Sequence, residues 1–297
     1  DVIVGANAYA NGEAAEGRAY VYHGSASGLA AISGWTGEGN QAAAYFGYSV
    51  ASAGDVNGDG YSDVIVGAPS YDNGTLDEGR AYVYHGAAAG LSAVAAWTAE
   101  SNRYTAKFGQ AVSTAGDVNG DGYADVIVGA PCNYDQEALG RVYVYHGSAS
   151  GLSVVAAWMV EASQLAANFG NSVSSAGDVN GDGYSDVIIG AYRYDYGAGR
   201  AYVYHGSASG LSTVAAWTAE SDQAGADFGA SVSTAGDVNG DGYSDVIVGA
   251  DMYDNGELNE GRAYVYHGSA SGLSTVAAWT AESDQTSAFF GRSVSTA

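Results

Sequence analysis

Phe46-Gly-Tyr-Ser-Val-Ala-Ser-Ala-Gly-Asp55-Val-Asn57-Gly-Asp59-Gly60-Tyr61-Ser-Asp63-Val-Ile-Val-Gly-Ala-Pro69 is the stretch that decides how this chain is read. Its first part alternates as a half-buried strand does, and Asp63 to Ala68 is a β-branched run closed by glycine and alanine. Asn-Gly and Asp-Gly pairs between them are formers of tight turns. The same text returns along the whole chain. Aligned on Asp-Val-Ile-Val-Gly-Ala, with Ile for the second Val in one copy, the repeats start at Asp1, Asp63, Asp125, Asp186 and Asp245, at periods of 62, 62, 61 and 59 residues with a last unit of 53. Self-similarity at such a period means stacked copies of one supersecondary unit.

Other landmarks keep the same phase. The Gly before a recurrent Arg stands 18 residues before a Trp in all five copies, and that Trp stands 11 residues before the next Phe-Gly. Only the interval after the β-branched run changes length, as at residues 69–79, 131–140 and 191–199. Each copy reads as four short strands. In the last full one these are Phe228 to Ala235, the run from Asp245, then Arg262 to His267, and finally Val-Ala-Ala-Trp-Thr after Gly-Ser-Ala-Ser-Gly-Leu. In the third of them Tyr264 and Tyr266 share one face, Ala263 and Val265 the other. Both faces carry apolar bodies, so each small sheet must be covered on both sides, and four-stranded sheets packed between like neighbours make a β-propeller. The expected fold is all-β: one propeller domain over residues 1–297.

Asp1 opens the second strand of a unit, and Phe290 to Ala297 reads as a first strand, so the five copies supply strands for five blades. The expectation is a closed five-bladed ring in which the C-terminal strand joins the N-terminal blade.

Composition fits that reading and excludes others. Of 297 residues, 33 are Asp or Glu and 9 are Lys or Arg, a formal charge of −24, which bars a nucleic-acid phosphate binder. Apolar residues at 47% and aromatics at 12% are enough to bury a core, so the acidity does not mean disorder. The 45 Gly follow no triplet period and only 2 Pro occur, which excludes collagen. No apolar run approaches the length of a membrane-spanning helix. The chain begins at Asp1 without Met or an apolar leader, the expectation for a processed chain or a piece of a longer one. A lone Cys132 cannot form an internal disulfide and reads as a small turn residue.

The segment richest in chemistry is Asp55-Val-Asn57-Gly-Asp59-Gly60-Tyr61-Ser-Asp63. It recurs as Asp117, Asn119, Asp121, Tyr123 and Asp125, as Asp178, Asn180, Asp182, Tyr184 and Asp186, and as Asp237, Asn239, Asp241, Tyr243 and Asp245. Oxygen side chains at positions 1, 3, 5 and 9, with Gly at 6 for the bend, match the start of a calcium loop; the Tyr at 7 would contribute its backbone carbonyl. With no thiolate or imidazole in the loop, Ca²⁺ is the expected ion in four complete loops, and zinc and copper fit poorly. The plain alternative is that Asp-Gly and Asn-Gly are ordinary turn formers. Bound cations would also offset repulsion among three carboxylates per loop.

Phe-Gly at the first strand, the calcium loop, and Val-Gly-Ala-Pro at Val66 to Pro69 and Val128 to Pro131 together resemble FG-GAP repeats, as in the integrin α-subunit propeller and bacterial surface proteins. The resemblance implies calcium at the positions above and an extracellular or cell-surface adhesion or recognition module. Its departures are Asn7, Tyr192 and Asp251 in place of the proline. Integrin-type propellers have seven blades, so the alternative to the five-bladed ring is part of a seven-bladed one. A fifth calcium loop has only its last ligand here, Asp1.

In a four-stranded meander the 1–2 and 3–4 loops leave by one edge and the 2–3 and 4–1 loops by the other. The calcium loops and the His-Gly-Ser-Ala-Ser-Gly-Leu hairpins share the first face, nearly identical in every copy. The second face gathers what differs: Asn73 to Glu78 against Asn133 to Leu139 and Tyr192 to Ala198, and Asn102 to Lys107 against Ala162 to Asn168 and Asp222 to Asp227. Recognition of a protein or glycan is expected there, against the alternative of neutral drift in exposed loops. Arg18, Arg80, Arg141, Arg200 and Arg262 are expected to pair with carboxylates. His23, His85, His146, His205 and His267, one per blade, are expected to pack at strand ends. Trp35, Trp97, Trp158, Trp217 and Trp279 read as cover for the outer strand, with sugar stacking as the alternative. Three function classes follow: a non-enzymatic calcium-stabilised binding module, a multivalent lectin using the Trp and Tyr sites, or a self-assembling surface or filament subunit. No Ser-His-Asp or Cys-His pairing stands out of the repeat, so catalysis is not expected.

Overall fold

A computed structural model describes residues 1–132 and 139–296. Strands form where the β-branched and aromatic runs fall, and consecutive strands pair antiparallel in sequence order. Blade 1 contains Val2–Ala6, Arg18–Tyr22 and Trp35–Glu38; blade 2 contains Ser49–Gly54, Asp63–Ala68, Arg80–Tyr84 and Trp97–Glu100. Blade 3 contains Ala111–Gly116, Asp125–Ala130, Arg141–Tyr145 and Trp158–Glu161; blade 4 contains Ser172–Gly177, Asp186–Ala191, Arg200–Tyr204 and Trp217–Glu220. Blade 5 contains Phe228–Gly236, Asp245–Ala250, Arg262–Tyr266 and Trp279–Glu282. The fold is an all-β propeller of four-stranded blades, with three strands in blade 1.

The two faces of each sheet meet different neighbours. Tyr82 and Tyr84 turn back onto Trp35 and Phe46, while Ala81, Val83 and Trp97 turn forward onto Val126, Val128 and Tyr145 of blade 3. Blades 3 and 4 repeat this pattern, and blade 5 repeats its backward half. One apolar layer therefore lies between each pair of blades, which is why every strand is apolar on both sides. Phe46, Phe108, Phe169 and Phe228 wedge into these layers, at most 2% exposed. Each wedge meets a Tyr of its own blade edge-on, as Phe108 meets Tyr143 at 5.4 Å between ring centroids.

Close backbone approach explains the paired glycines. A Cβ on Gly67, Gly129 or Gly190 would overlap the carbonyl oxygen of Gly109, Gly170 or Gly229, the Gly of the next blade's Phe-Gly. The Ala that follows the first Gly is fully buried at Ala68, Ala130, Ala191 and Ala250. The recurrent Phe-Gly and Gly-Ala pairs are thus the two halves of one inter-blade seam.

Closure departs from expectation. Val2–Ala6 pairs only with Arg18–Tyr22, and among the described residues no strand lies on its other edge. The segment from Phe290 docks instead on blade 5: Gly291 sits on Gly249, the Ser231 hydroxyl donates to the Gly291 carbonyl at 2.6 Å, and the Thr296 hydroxyl donates to the Thr234 carbonyl at 2.7 Å. It repeats the seam that every earlier first strand makes with the blade before it. This docking gives it no pairing to blade 1, so the expected sealing of a five-bladed ring is not observed. Of the expected loop Asn133 to Leu139, only Leu139 lies within the described residues.

Candidate functional site

Each nine-residue loop folds around its own first carboxylate. Asp55 Oδ1 accepts from the Gly58 and Asp59 amides at 2.7 and 3.1 Å, and its Oδ2 accepts from Gly60 at 2.8 Å. Asn57 Oδ1 accepts from the Asp59 amide and Asn57 Nδ2 donates to Asp59 Oδ2, both at 3.0 Å. Asp59 Oδ1 in turn accepts from the Tyr61 amide at 3.0 Å. Gly58 and Gly60 take φ of 73° and 88°, the left-handed values that such a wrapped loop demands. The loops from Asp117, Asp178 and Asp237 repeat these bonds.

The ninth residue does something else. Asp63, Asp125, Asp186 and Asp245 are fully buried. Asp125 Oδ2 accepts from the Val118 amide inside its loop and Oδ1 accepts from Gly147 of the 3–4 hairpin, each at 2.9 Å, so one carboxylate ties the two loops of a blade edge together. Burial pushes the Asp125 and Asp186 carboxyls up to about 7, against the pull of those amides and helped by the neighbouring loop carboxylates. Asp63 is raised for the same leading reason. Asp237, by contrast, is held below the usual carboxylate range by loop amides, Gly242 first.

Successive loops are also chained across blades. The Ala124 amide donates to the Asp55 carbonyl at 3.0 Å, the Ser148 amide donates to the Val56 carbonyl at 3.1 Å, and the Tyr123 ring covers Gly58. Ser185 and Ser207, then Ser244 and Ser269, make the same links onward, with Tyr184 over Gly120 and Tyr243 over Gly181. Val56, Val118 and Val179 are buried plugs in these junctions. The 1–2 and 3–4 loops share a face as expected, and together they form a hydrogen-bonded belt.

The donor chemistry fits a hard cation. A carboxylate has about four lone-pair sites, and the inward Asp125 uses two on amides. Carboxylates that raise one another's pKa are relieved by a nearby positive charge. Position 1, position 3 and position 5 are brought together in every loop, while position 9 faces inward from them. Among the described residues no group of three carboxylates, imidazoles or thiolates converges as a ready-made metal cluster.

The recurrent Arg, His and Trp take the bland roles. Arg18, Arg80, Arg141, Arg200 and Arg262 pair with Glu38, Glu100, Glu161, Glu220 and Glu282, directly opposite on the fourth strand, and Arg80 also lies 3.8 Å above the Tyr71 ring. His146 Nδ1 lies 3.2 Å from Asn119 Nδ2, and the ring packs beside Gly210 of the next hairpin. Burial lowers the pKa of His146 and His205. Trp35, Trp97, Trp158 and Trp217 are only 5–7% exposed, and their indole N–H groups donate to the carbonyls of Ser92, Ser153, Ser212 and Ser274 in the next blade at 2.8–2.9 Å. Only Trp279, on the last blade, stands 49% exposed. Buried, satisfied indoles cannot stack sugars, so these four Trp offer no repeated sugar site.

The opposite face carries the differences. The residue before each Phe of Phe-Gly has positive φ, at Tyr45, Lys107, Asn168, Asp227 and Phe289, one backbone shape bearing five different side chains. Lys107 reaches Asp77 at 2.9 Å and the Ser70 hydroxyl at 2.7 Å, and Asn168 donates to the Tyr192 hydroxyl at 2.8 Å. Burial, with Asp251 nearby, pushes Asp227 up to about 6. The 2–3 and 4–1 loops join there: the Thr105 and Lys107 amides donate to the Leu76 and Asp77 carbonyls. A feature the sequence reading missed is the buried Glu16, Glu78 and Glu260, at most 1% exposed. Glu78 Oε1 accepts from the Asn73 amide at 2.5 Å while Asp72 Oδ1 accepts from Asp77, stapling the loop end to end. The signal was available as Glu-Gly-Arg in three copies, against Leu139 and Ala198 in the others.

Four stretches, residues 46–84, 108–145, 169–204 and 228–266, match the FG-GAP repeat, together just over half of the chain. Among curated proteins the chain is similar to integrin alpha-PS2 of Drosophila melanogaster, 42% identical over 173 residues, 53% of this chain and 12% of that protein. It is also similar to integrin alpha-V of Gallus gallus, 36% identical over 188 residues, 60% of this chain and 17% of that protein. Integrin alpha-4 of Xenopus laevis is 37% identical over 161 residues, 53% of this chain and 15% of that protein. The chain thus spans less than a fifth of the length of each.

Proposed function

The chain belongs to the FG-GAP repeat family, and on that premise we propose that residues 1–297 form a calcium-dependent, non-enzymatic recognition module of the cell surface or extracellular space. The observation that carries this is the division of the two faces. One is a belt of near-identical acidic loops that hold blade to blade; the other presents different side chains on a repeated backbone. A rigid scaffold with one uniform and one variable loop face is built to bind a partner through the variable face. The similarity to integrin alpha subunits supports a protein partner in an adhesive setting.

Asp55, Asn57, Asp59, the Tyr61 carbonyl and Asp63 would hold one Ca²⁺, with the corresponding residues of the loops ending at Asp125, Asp186 and Asp245 holding three more. The ion supplies charge neutralisation where the chain crowds carboxylates. The chain's own part is mechanical: Asp125 anchors loop to hairpin, and Tyr123 and Ala124 anchor one loop to the next. Calcium binding therefore stiffens the belt, and the belt sets the angle between blades that the recognition face depends on.

A plate-binding assay against extracellular matrix proteins and glycans tests this. Replacing Tyr192 to Ala198 or Asp222 to Asp227 by the matching stretch of blade 2 should abolish binding, and serine-to-alanine changes at Ser148 and Ser207 should leave it intact. Binding that survives both loop exchanges and disappears with the hairpin changes would overturn the assignment of faces.

A further inference from the structure

Seven Asn-Gly pairs occur in the chain, and the structure divides them into two chemical classes. In the loops at Asn57, Asn119, Asn180 and Asn239 the following Gly amide donates to the first Asp of the loop at 2.6–2.7 Å, and the Asn side chain is held at both ends by the Asp two residues on. At Asn11, Asn73 and Asn255, on the opposite face, the Gly12, Gly74 and Gly256 amides have no acceptor among the described residues, and a Cβ there would meet nothing within 4 Å. These three Asn use only Nδ2, donating to Glu38, Glu100 and Glu282, and leave Oδ1 free.

We propose that Asn11, Asn73 and Asn255 are sites of spontaneous succinimide-mediated deamidation, and that the four Asn-Gly pairs of the acidic loops are protected from it. The Gly74 amide nitrogen, having lost its proton to solvent hydroxide, attacks Asn73 Cγ. The Cγ–Nδ2 bond breaks, and the nitrogen leaves as ammonia with a proton from water. Water then opens the ring at either carbonyl, giving aspartate or isoaspartate. In the acidic loops the attacking nitrogen is tied to a carboxylate and the Asn carbonyl is pinned away, so both must be released before the ring can close.

The product matters where it forms. A carboxylate at position 73 faces Glu100 across the 2.9 Å contact that the amide now bridges, and Glu100 is the partner of Arg80. An isoaspartate also lengthens the backbone inside the span that Glu78 staples through the Asn73 amide. Three loops of the recognition face thus carry a built-in chemical clock, whereas the belt does not. This consequence rests on the recognition reading above; the modification itself does not.

Peptide mapping of the intact 297-residue chain, aged at mildly alkaline pH in heavy-oxygen water, tests the proposal. Asn11, Asn73 and Asn255 should gain label at the rate of an unstructured Asn-Gly peptide, and the four loop sites about ten-fold more slowly or less, because a charge-assisted hydrogen bond must first be given up. The protection should persist in chelator, since the chain's own carboxylate supplies it, so a failure of calcium binding leaves the result unchanged. Asp55→Ala, which frees the Gly58 amide while Asp59 still holds the Asn57 side chain, should speed labelling at Asn57 toward the fast class, while Asn119, Asn180 and Asn239 in the same molecule stay slow and report an intact fold. Equal labelling of all seven sites, slow labelling at Asn73 and its counterparts, or an Asn57 rate unaffected by Asp55→Ala would overturn it.

Discussion

Replacing Trp158 by alanine removes one blade-to-blade clasp and leaves blades 3 and 4 otherwise unchanged. The indole is 6% exposed, meets the Tyr204 ring edge-on at 5.1 Å, and donates to the Ser212 carbonyl at 2.9 Å. Truncating a buried aromatic of this kind costs about 3–5 kcal/mol, cavity included. Of that, the ring pair accounts for about 1 kcal/mol, and the lost hydrogen bond for about another. Trp279→Ala is the internal control: the same residue at the same repeat position, but half exposed, with no blade packed over it among the described residues. Its cost should stay below about 2 kcal/mol, because much of its surface is already in water. By differential scanning fluorimetry the buried variant should melt ~6–20 °C below the parent, at roughly 2–4 °C per kcal/mol for a chain of this size class, and the Trp279 variant only slightly below it. Equal losses for the two would refute the clasp, and a Trp158 variant with unchanged melting and lost glycan binding would restore the lectin reading.

Other outcomes follow from the same geometry. Gly129→Ala drives a Cβ into the Gly170 carbonyl and should cost more than about 3 kcal/mol in urea unfolding, since backbone on both sides cannot yield. Gly60→Ala, in open space, should cost only the about 1 kcal/mol of a left-handed residue. Asp125 and Asp186 titrate near 7 in the folded chain against about 3.8 when unfolded, so the folded state holds their protons more tightly. The stability this contributes is complete below pH ~4 and is lost as pH rises through ~7. The metal-free protein should therefore gain progressively more from added calcium across that window, because the ion displaces those protons. His146 and His205, lowered by burial, lose stability as pH falls below the ordinary imidazole range, and subtracting melts with and without calcium at each pH separates the two effects.

The repeat made the architecture readable because each landmark is constrained from both sides. Phe46 must wedge between blades, Gly47 must pass over Gly5, and Trp35 must reach Ser92, so spacing survives in every copy and reports the strand order directly. The pairing of the recurrent Arg was legible because a cation so scarce in an acidic chain stands directly opposite a Glu on the neighbouring strand, as Arg80 does Glu100. Closure was not legible: the text of Phe290 to Ala297 is that of any first strand, and sequence does not say whether it seals blade 1 or, as found, docks on blade 5 alone. Nor did the loop pattern distinguish position 9 from positions 1, 3 and 5. All four are acidic or amide oxygens in the sequence, yet Asp63 faces the interior amides of Val56 and Gly86 because a buried hairpin needs an acceptor there. The exposure of the five Trp was equally hidden, since it depends on whether a neighbouring blade packs over each of them.

The central claim is that calcium in the four acidic loops holds this propeller together. Isothermal titration of the metal-free chain, with melting followed at each addition, tests it most directly. The account predicts saturation at four ions per chain, with the melting temperature rising up to that point and falling again with EGTA. A melting temperature that does not move across the whole titration would contradict it.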